Sequence, residues 1–182
     1  LHKEYRRQRQ MCIRDSQLID PLIARYTEVY KGGNALRFGG SLLGGAVNLV
    51  TPTGRTADAD LGLRLDGGSY GTARLHGETA GVRGDWDGFA AVTGQTADGW
   101  RDHSAGRSVH LSANLGRALG QDREVRLLVS GGDIHQDIPG SLTLTQLKTD
   151  PTQAATASTT LNYQRDMAAL RTTLQALSLI HI

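Results

Sequence analysis

From about residue 59 to residue 176 the chain alternates apolar and polar residues with a period of two, the pattern of strands whose two faces meet unlike surroundings. Leu61, Leu63 and Leu65 alternate with Asp60, Arg64 and Asp66. Arg74, His76 and Glu78 share a face opposite Ala73 and Leu75, and Trp86 to Gln95 reads as a third strand. The fourth is the cleanest: Val109, Leu111, Ala113 and Leu115 against Ser108, His110, Ser112 and Asn114. Val125, Leu127 and Val129 mark a fifth, and Leu161 to Leu174 a sixth, with Ala168, Leu170 and Leu174 on one side. The alternation predicts an antiparallel meander.

Both a soluble β-sandwich and a membrane β-barrel alternate in this way. Three features point to the barrel. One face carries charges, Arg64, Arg74, Glu78 and Arg126, which suits a wet lumen. The other is Leu, Val and Ala, which suits lipid. The connections also alternate, short at 83–85 and 116–123 and long at 96–107 and 134–158, as in barrels with short periplasmic turns and longer outer loops. Gly67–Gly71 breaks that rule, being tight where a long loop is expected. Aromatics at 5% and 23 glycines suit short strands and turns better than a dry globular core. No run of about 18 apolar residues offers a membrane helix. In the long loop, Thr143 and Gln146 have capping-box spacing and Asp150-Pro151 closes the segment, so a short helix is expected after the Pro139-Gly140 turn.

The two ends do not share the pattern. Residues 1–16 are basic and aperiodic, 177–182 form a short apolar tail, and both are read as non-native, translated adapter or read-through sequence. Residues 1–16 hold five of the 20 basic and two of the 18 acidic residues; without them 15 face 16, a net charge of −1. The basic balance of the whole chain is therefore no sign of nucleic-acid binding. The only cysteine, Cys12, lies in the same segment, so the body can form neither a disulfide nor a thiolate metal site. No signal peptide is visible, as expected of a piece of a longer protein.

Residues 21–52 carry the most specific signal. An acidic-apolar strand (Thr27, Glu28, Val29, Tyr30) leads to Lys31-Gly32-Gly33, then to Ala35-Leu36-Arg37-Phe38-Gly39. Gly44-Gly45-Ala46-Val47-Asn48-Leu49-Val50-Thr51 closes the segment. This resembles the C-terminal end of the plug domain of TonB-dependent outer-membrane receptors, where a strand, an aromatic-Gly pair, a Gly-Gly and an apolar strand with a central Asn follow one another. Asp98-Gly99-Trp100-Arg101-Asp102-His103-Ser104, Pro139-Gly140-Ser141-Leu142-Thr143 and the double Gly32-Gly33 are similar to the ferric-dicitrate-receptor branch. The resemblance implies an all-β fold: the end of a plug domain at 17–55, then the first strands of an incomplete antiparallel transmembrane β-barrel at 56–176, an open meander of about six strands. A complete barrel of this kind has about 22 strands around a plugged lumen.

The resemblance also implies a function. The expected partners are a ferric chelate, an inner-membrane TonB energy-coupling protein and outer-membrane lipid; no cofactor, metal site or catalytic residue is expected. The box contacted by the coupling protein is expected upstream of Leu1. In the family the aromatic-Gly position faces the outer vestibule. There Phe38 would pack on a chelate and the Arg37 guanidinium would pair with its carboxylates, the alternatives being a plug-core filler and a plug-to-wall strut. Phe38 stands where Tyr is usual, which puts any hydroxyl contact in doubt. Arg101, in the 96–107 loop, is a third candidate contact.

Other chemistry finds no footing. His76, His103, His110 and His135 are scattered over strands and loops, and Asp98 and Asp102 beside His103 have no nucleophile or second carboxylate pair. Gly39-Gly40 and Gly44-Gly45 lack the Lys-Ser/Thr pair of a phosphate loop; glycine there serves close backbone approach. Two other readings stay open at this point. One is a passive or structural outer-membrane barrel, which an upstream coupling box would exclude. The other is a soluble β-sandwich binding module, which would be monomeric without detergent.

Overall fold

The computed structural model of the chain describes residues 20–32, 45–120 and 123–178. Two antiparallel sheets account for its strands. Strands β1 (Tyr26–Lys31) and β2 (Gly45–Val50) pair with each other alone. Strands β3 (Leu61–Gly67), β4 (Ala73–Arg83), β5 (Trp86–Ala97), β6 (Gly106–Ala118), β7 (Arg123–Asp137) and β8 (Gln164–Ser178) form a six-stranded sheet in chain order. The expected all-β meander and separate small sheet are thus present. The large sheet is open, with β3 and β8 as its edges.

The connections sort by end. Residues 84–85 and 119–122 link strands at one end; 68–72, 98–105 and 138–163 do so at the other. The tight first connection closes on Tyr70 and Gly71, both in the left-handed region at φ 59° and 63°, the geometry of a two-residue hairpin turn that matches strand twist. The first long loop is shorter than the alternation suggests, 98–105 against 96–107, and the second is shifted later, 138–163 against 134–158. β7 runs on to Asp137, because Gly131-Gly132 interrupts the visible pattern without breaking the ladder to β6. β8 starts only at Gln164, because Asn162 takes a left-handed φ of 48° and stops the extended run. The last loop holds the expected helix, α1 (Leu144–Thr149), with the Thr143–Gln146 capping box formed and Asp150 at its C-cap. A second short helix, α2 (Thr156–Thr160), follows.

Register separates the faces. One face carries Arg64, Arg74, His76, Glu78, Asp87, Thr93, Ser112, Asn114 and Arg126. The other carries Leu61, Leu63 and Leu65, at 78, 73 and 74% exposure, with Leu75, Val92, Val109, Leu111, Leu115, Leu127, Leu170 and Leu174 also exposed. Between the rungs at its two ends, Asp133 is the charged exception on this apolar face. Among the described residues no second sheet packs on it, which a β-sandwich would require.

The polar face is covered in part. A 3-10 turn at Pro21–Ile23 and a strap at residues 51–57 lie across it. Between cover and sheet sits a small apolar core of Ile23, Phe89 and Ala91, with Ala57 and Ala80 against it. Of the 177–182 tail read as non-native, Leu177 and Ser178 continue the β8 ladder opposite Glu124 and Arg123. Residues 1–16 and 179–182 lie outside the described residues.

Candidate functional site

The polar cover of the large sheet is built around one ion pair. Asp87 on β5 and Arg126 on β7 lie in one rung with Gly116 of β6 between them. A Cβ on Gly116 would sit 2.4 Å from Arg126 Nη2 and 2.7 Å from Asp87 Oδ1, so glycine leaves the lane through which the two side chains meet across an intervening strand. Arg126 Nη2 donates to Asp87 Oδ1 at 3.0 Å and Nη1 to Asp87 Oδ2 at 3.1 Å, a bidentate fork. Nη1 also donates to Asn114 Oδ1 (2.7 Å) and Nε to Glu124 Oε1 (2.8 Å). Asp87 is 2% and Arg126 6% exposed.

This cluster holds the strap. Gly54 N donates to Asp87 Oδ2 at 3.1 Å, Asn114 Nδ2 donates to Pro52 O at 3.1 Å, and Arg55 Nε lies 3.5 Å from Asp87 Oδ1. The strap turns locally because Thr56 Oγ1 accepts from Thr53 N (2.9 Å) while Thr53 O accepts from Thr56 N and Ala57 N. Gly54 lies flat on the sheet: a Cβ there would be 2.2 Å from Gly81 O and 2.6 Å from Gly88 N.

A second polar chain ties the 3-10 turn down. Asp20 caps the turn by accepting from Leu22 N, and its other oxygen accepts from the Thr93 hydroxyl. With its proton so committed, Thr93 Oγ1 accepts from His76 Nδ1 at 2.7 Å, which fixes a proton on that nitrogen. His76 Nε2 faces Glu78 at 3.5 Å. Asp20, His76 and Thr93 are all buried.

Of the residues singled out from sequence, Arg37 and Phe38 lie outside the described residues. The described β1–β2 pairing ends on the Lys31–Gly45 rung. Arg101 is described, and its guanidinium is engaged within the protein. Nη1 donates to Gly140 O (3.0 Å), and Nε and Nη2 to Gln153 O (3.2 and 2.9 Å), which latches the 98–105 loop to the 138–163 loop. The structure does not bring Arg101 to the strap. The gap between β2 and the sheet, lined by Asp20, Asn48, Thr51, His110, Ser112 and Ser130 among others, is a cleft of 270 Å³. Small-molecule sites run to about 300–1,000 Å³, so this gap stands at the small end of that range. Among the described residues no cluster of three or more His, Cys, Asp or Glu is placed to hold a metal ion.

Sequence reasoning assigned Arg126 to a wet lumen and passed over Asp87, Gly116 and Asn114. Asp87, a lone acid beside the apolar run of β5 and preceding Phe89, was the available signal. No protein-family model matches the chain.

Proposed function

We propose that the chain forms the last plug strands and the first six barrel strands of a TonB-dependent receptor in a bacterial outer membrane. The observation that carries this reading is the spacing of charge on the apolar face. One rung, Arg83–Trp86–Arg117, lies at the short-turn end. Another, Thr96–Arg107–His135–Asp166, lies at the long-loop end. Between them, across six strands, Asp133 is the single charge on that face. Trp86 and Thr96 are ten residues apart on β5. At about 3.4 Å per residue that is roughly 34 Å along the strand. At a tilt of about 45° it projects to roughly 24 Å, against an apolar band of about 25 Å in outer-membrane barrels. The buried anchor on the opposite face supports the second half of the reading: a plug-end strap seated on a polar inner wall.

The ligand class is a ferric chelate, bound by the Arg37–Phe38 loop and the outer loops and driven inward by a TonB-type coupling protein. Binding and passage break no covalent bond, so the protein is not an enzyme. The test is a titration of the intact, detergent-solubilised receptor that contains this chain with an anionic and a neutral ferric chelate, read by tryptophan fluorescence. A charge-assisted hydrogen bond from Arg37 contributes about 1.5–3 kcal/mol, so Arg37→Ala should weaken the anionic chelate roughly 10- to 150-fold and spare the neutral one. Phe38→Ala should weaken both alike. An unchanged anionic affinity in folded Arg37→Ala would remove Arg37 from the site, and no binding of either chelate would end the receptor reading.

A further inference from the structure

We infer that the rung Arg83–Trp86–Arg117 is a binding site for the phosphate headgroups of anionic phospholipid. This rests on the membrane reading above and names the lipid that this rim engages. The three residues are direct neighbours on β4, β5 and β6 and point to the apolar face, since Asp87 next to Trp86 is buried on the other. Strands lie about 4.8 Å apart, so the two arginine backbones stand roughly 10 Å apart with the indole between them. That spacing lets two long guanidinium arms close on one phosphodiester from either side. Arg117 Cζ sits 5.2 Å from the Trp86 ring centroid, which holds one arm ready, and the ring itself is 46% exposed.

The charges around the rung leave it cationic. Among the described residues neither Arg83 nor Arg117 has a carboxylate partner, whereas Arg64 and Arg126 do. Asp87 and Glu124 are on the opposite face, committed to Arg126. Asp85 lies in the connecting turn, and Arg123 adds a further exposed cation on the same side. Directly beyond the rung come Gly81, Gly88, Leu115, Leu127 and Leu174, where acyl chains would begin. The opposite rim sets Asp133, Asp137 and Asp166, around His135, against the single Arg107, so it is net acidic and repels the same headgroups. An anionic leaflet is therefore matched to the short-turn rim and to no other part of this face. Indole at the boundary and arginine on the phosphates is the arrangement that positions a barrel in depth.

The test uses the full chain carrying Trp100→Phe, so that Trp86 is the reporter, refolded from urea onto two kinds of vesicle. One is phosphatidylcholine; the other is phosphatidylcholine mixed with phosphatidylglycerol. The parent should partition more strongly into the anionic vesicles. Each arginine near an anionic surface is expected to contribute about five-fold, so Arg83→Gln/Arg117→Gln should lose about 25-fold of that preference with partition into phosphatidylcholine unchanged. Arg83→Lys/Arg117→Lys should retain most of it. Arg83→Gln alone should lose about five-fold, and Arg107→Gln, the same loss of one charge at the far rim, should leave the preference intact. If Arg107→Gln lowers the preference as much as Arg83→Gln, the attraction is net charge alone and the site does not exist. Equal partition of the parent into both vesicles overturns the site and leaves the membrane reading standing. Failure to enter either vesicle overturns both.

Discussion

Removing Arg126 tests the anchor most directly. In Arg126→Leu the Asp87 carboxylate, its side chain 1% exposed, keeps only the Gly54 N–H and the more distant Arg55 guanidinium. Breaking a buried ion pair from one side costs about 3–5 kcal/mol, because the remaining charge is left uncompensated. Asp87→Asn is milder. The amide oxygen still accepts from Gly54 N or Arg126, and Arg126 keeps Glu124 and Asn114, so the expected cost is about 1–3 kcal/mol. The double variant has no buried carboxylate at position 87 to strand, and should cost less than the sum of the singles by about 1–3 kcal/mol. Urea unfolding in detergent micelles measures all three, with Trp86, the neighbour of Asp87, as the fluorescent reporter. The strap reports separately, since Arg55 is a trypsin site within it and should become cleavable first in Arg126→Leu. Stability of Arg126→Leu within about 1 kcal/mol of the parent, or strict additivity of the two changes, would show that the fork does not hold the strap.

Three further outcomes follow from the same contacts. Gly54→Ala places a methyl against the backbone of Gly81 and Gly88, which cannot yield, so the strap should lift at a cost of about 1–3 kcal/mol and Arg55 should be cut faster by trypsin while the β-sheet circular dichroism is kept. Arg101→Ala leaves Gly140 O and Gln153 O without their charged donor; the loss of about 1.5–3 kcal/mol should appear as faster amide exchange confined to the 98–105 and 138–163 loops. The hydroxyl and backbone N–H of Thr152 hold the Asp150 carboxyl below its usual range. A depressed carboxylate adds stability that is complete above the unfolded value, about 3.9, and is lost as pH falls through the folded one. The end of α1 should thus be pH-insensitive from neutral to about 5 and loosen only in stronger acid, which a carboxyl carbon NMR titration of Asp150 against an Asp150→Asn control would show.

The meander could be read from the sequence because its information is local and repeated. Leu61-Gly-Leu-Arg-Leu and Val109-His-Leu-Ser-Ala fix period, face and strand type together, and a hairpin with a two-residue link such as Gly84-Asp85 admits only antiparallel pairing. The Thr143–Gln146 cap was readable for the same reason, since both of its hydrogen bonds lie within three residues. The anchor was not. It joins residues 52, 54, 87, 114 and 126, and its meaning lies in a rung that exists only once three strands are in register. Gly116 looks in sequence like one more turn-side glycine; its role as the lane between Asp87 and Arg126 appears only in the pairing. Alternation could say that Arg126 belongs to the polar face, but not that a strap covers that face and dries it. The Arg101 latch was hidden for a related reason: its acceptors are carbonyls some 40 and 50 residues away.

The two faces are held by opposite physics, and the proposed function needs both. On the proposed reading the apolar face is fixed by lipid, because every exposed leucine that enters water would lose its transfer free energy. The strap is fixed to the polar face differently. Its apolar contacts amount to Ile23, Phe89, Ala91, Ala57 and Ala80, and the rest of its attachment is hydrogen bonds and one ion pair. Such a joint is strong while dry, since each broken bond strands a buried polar group. Once the strap is displaced far enough to admit water, Asp87, Asn114, Arg126, Thr93 and His76 are hydrated, and most of that penalty vanishes. An apolar joint of equal strength would instead resist further with every Å² exposed. A plug end that must stay closed at rest and yield to a pull from one side is therefore better seated on a polar wall. On the proposed reading, the buried charges beneath residues 51–57 would make the release steep rather than gradual.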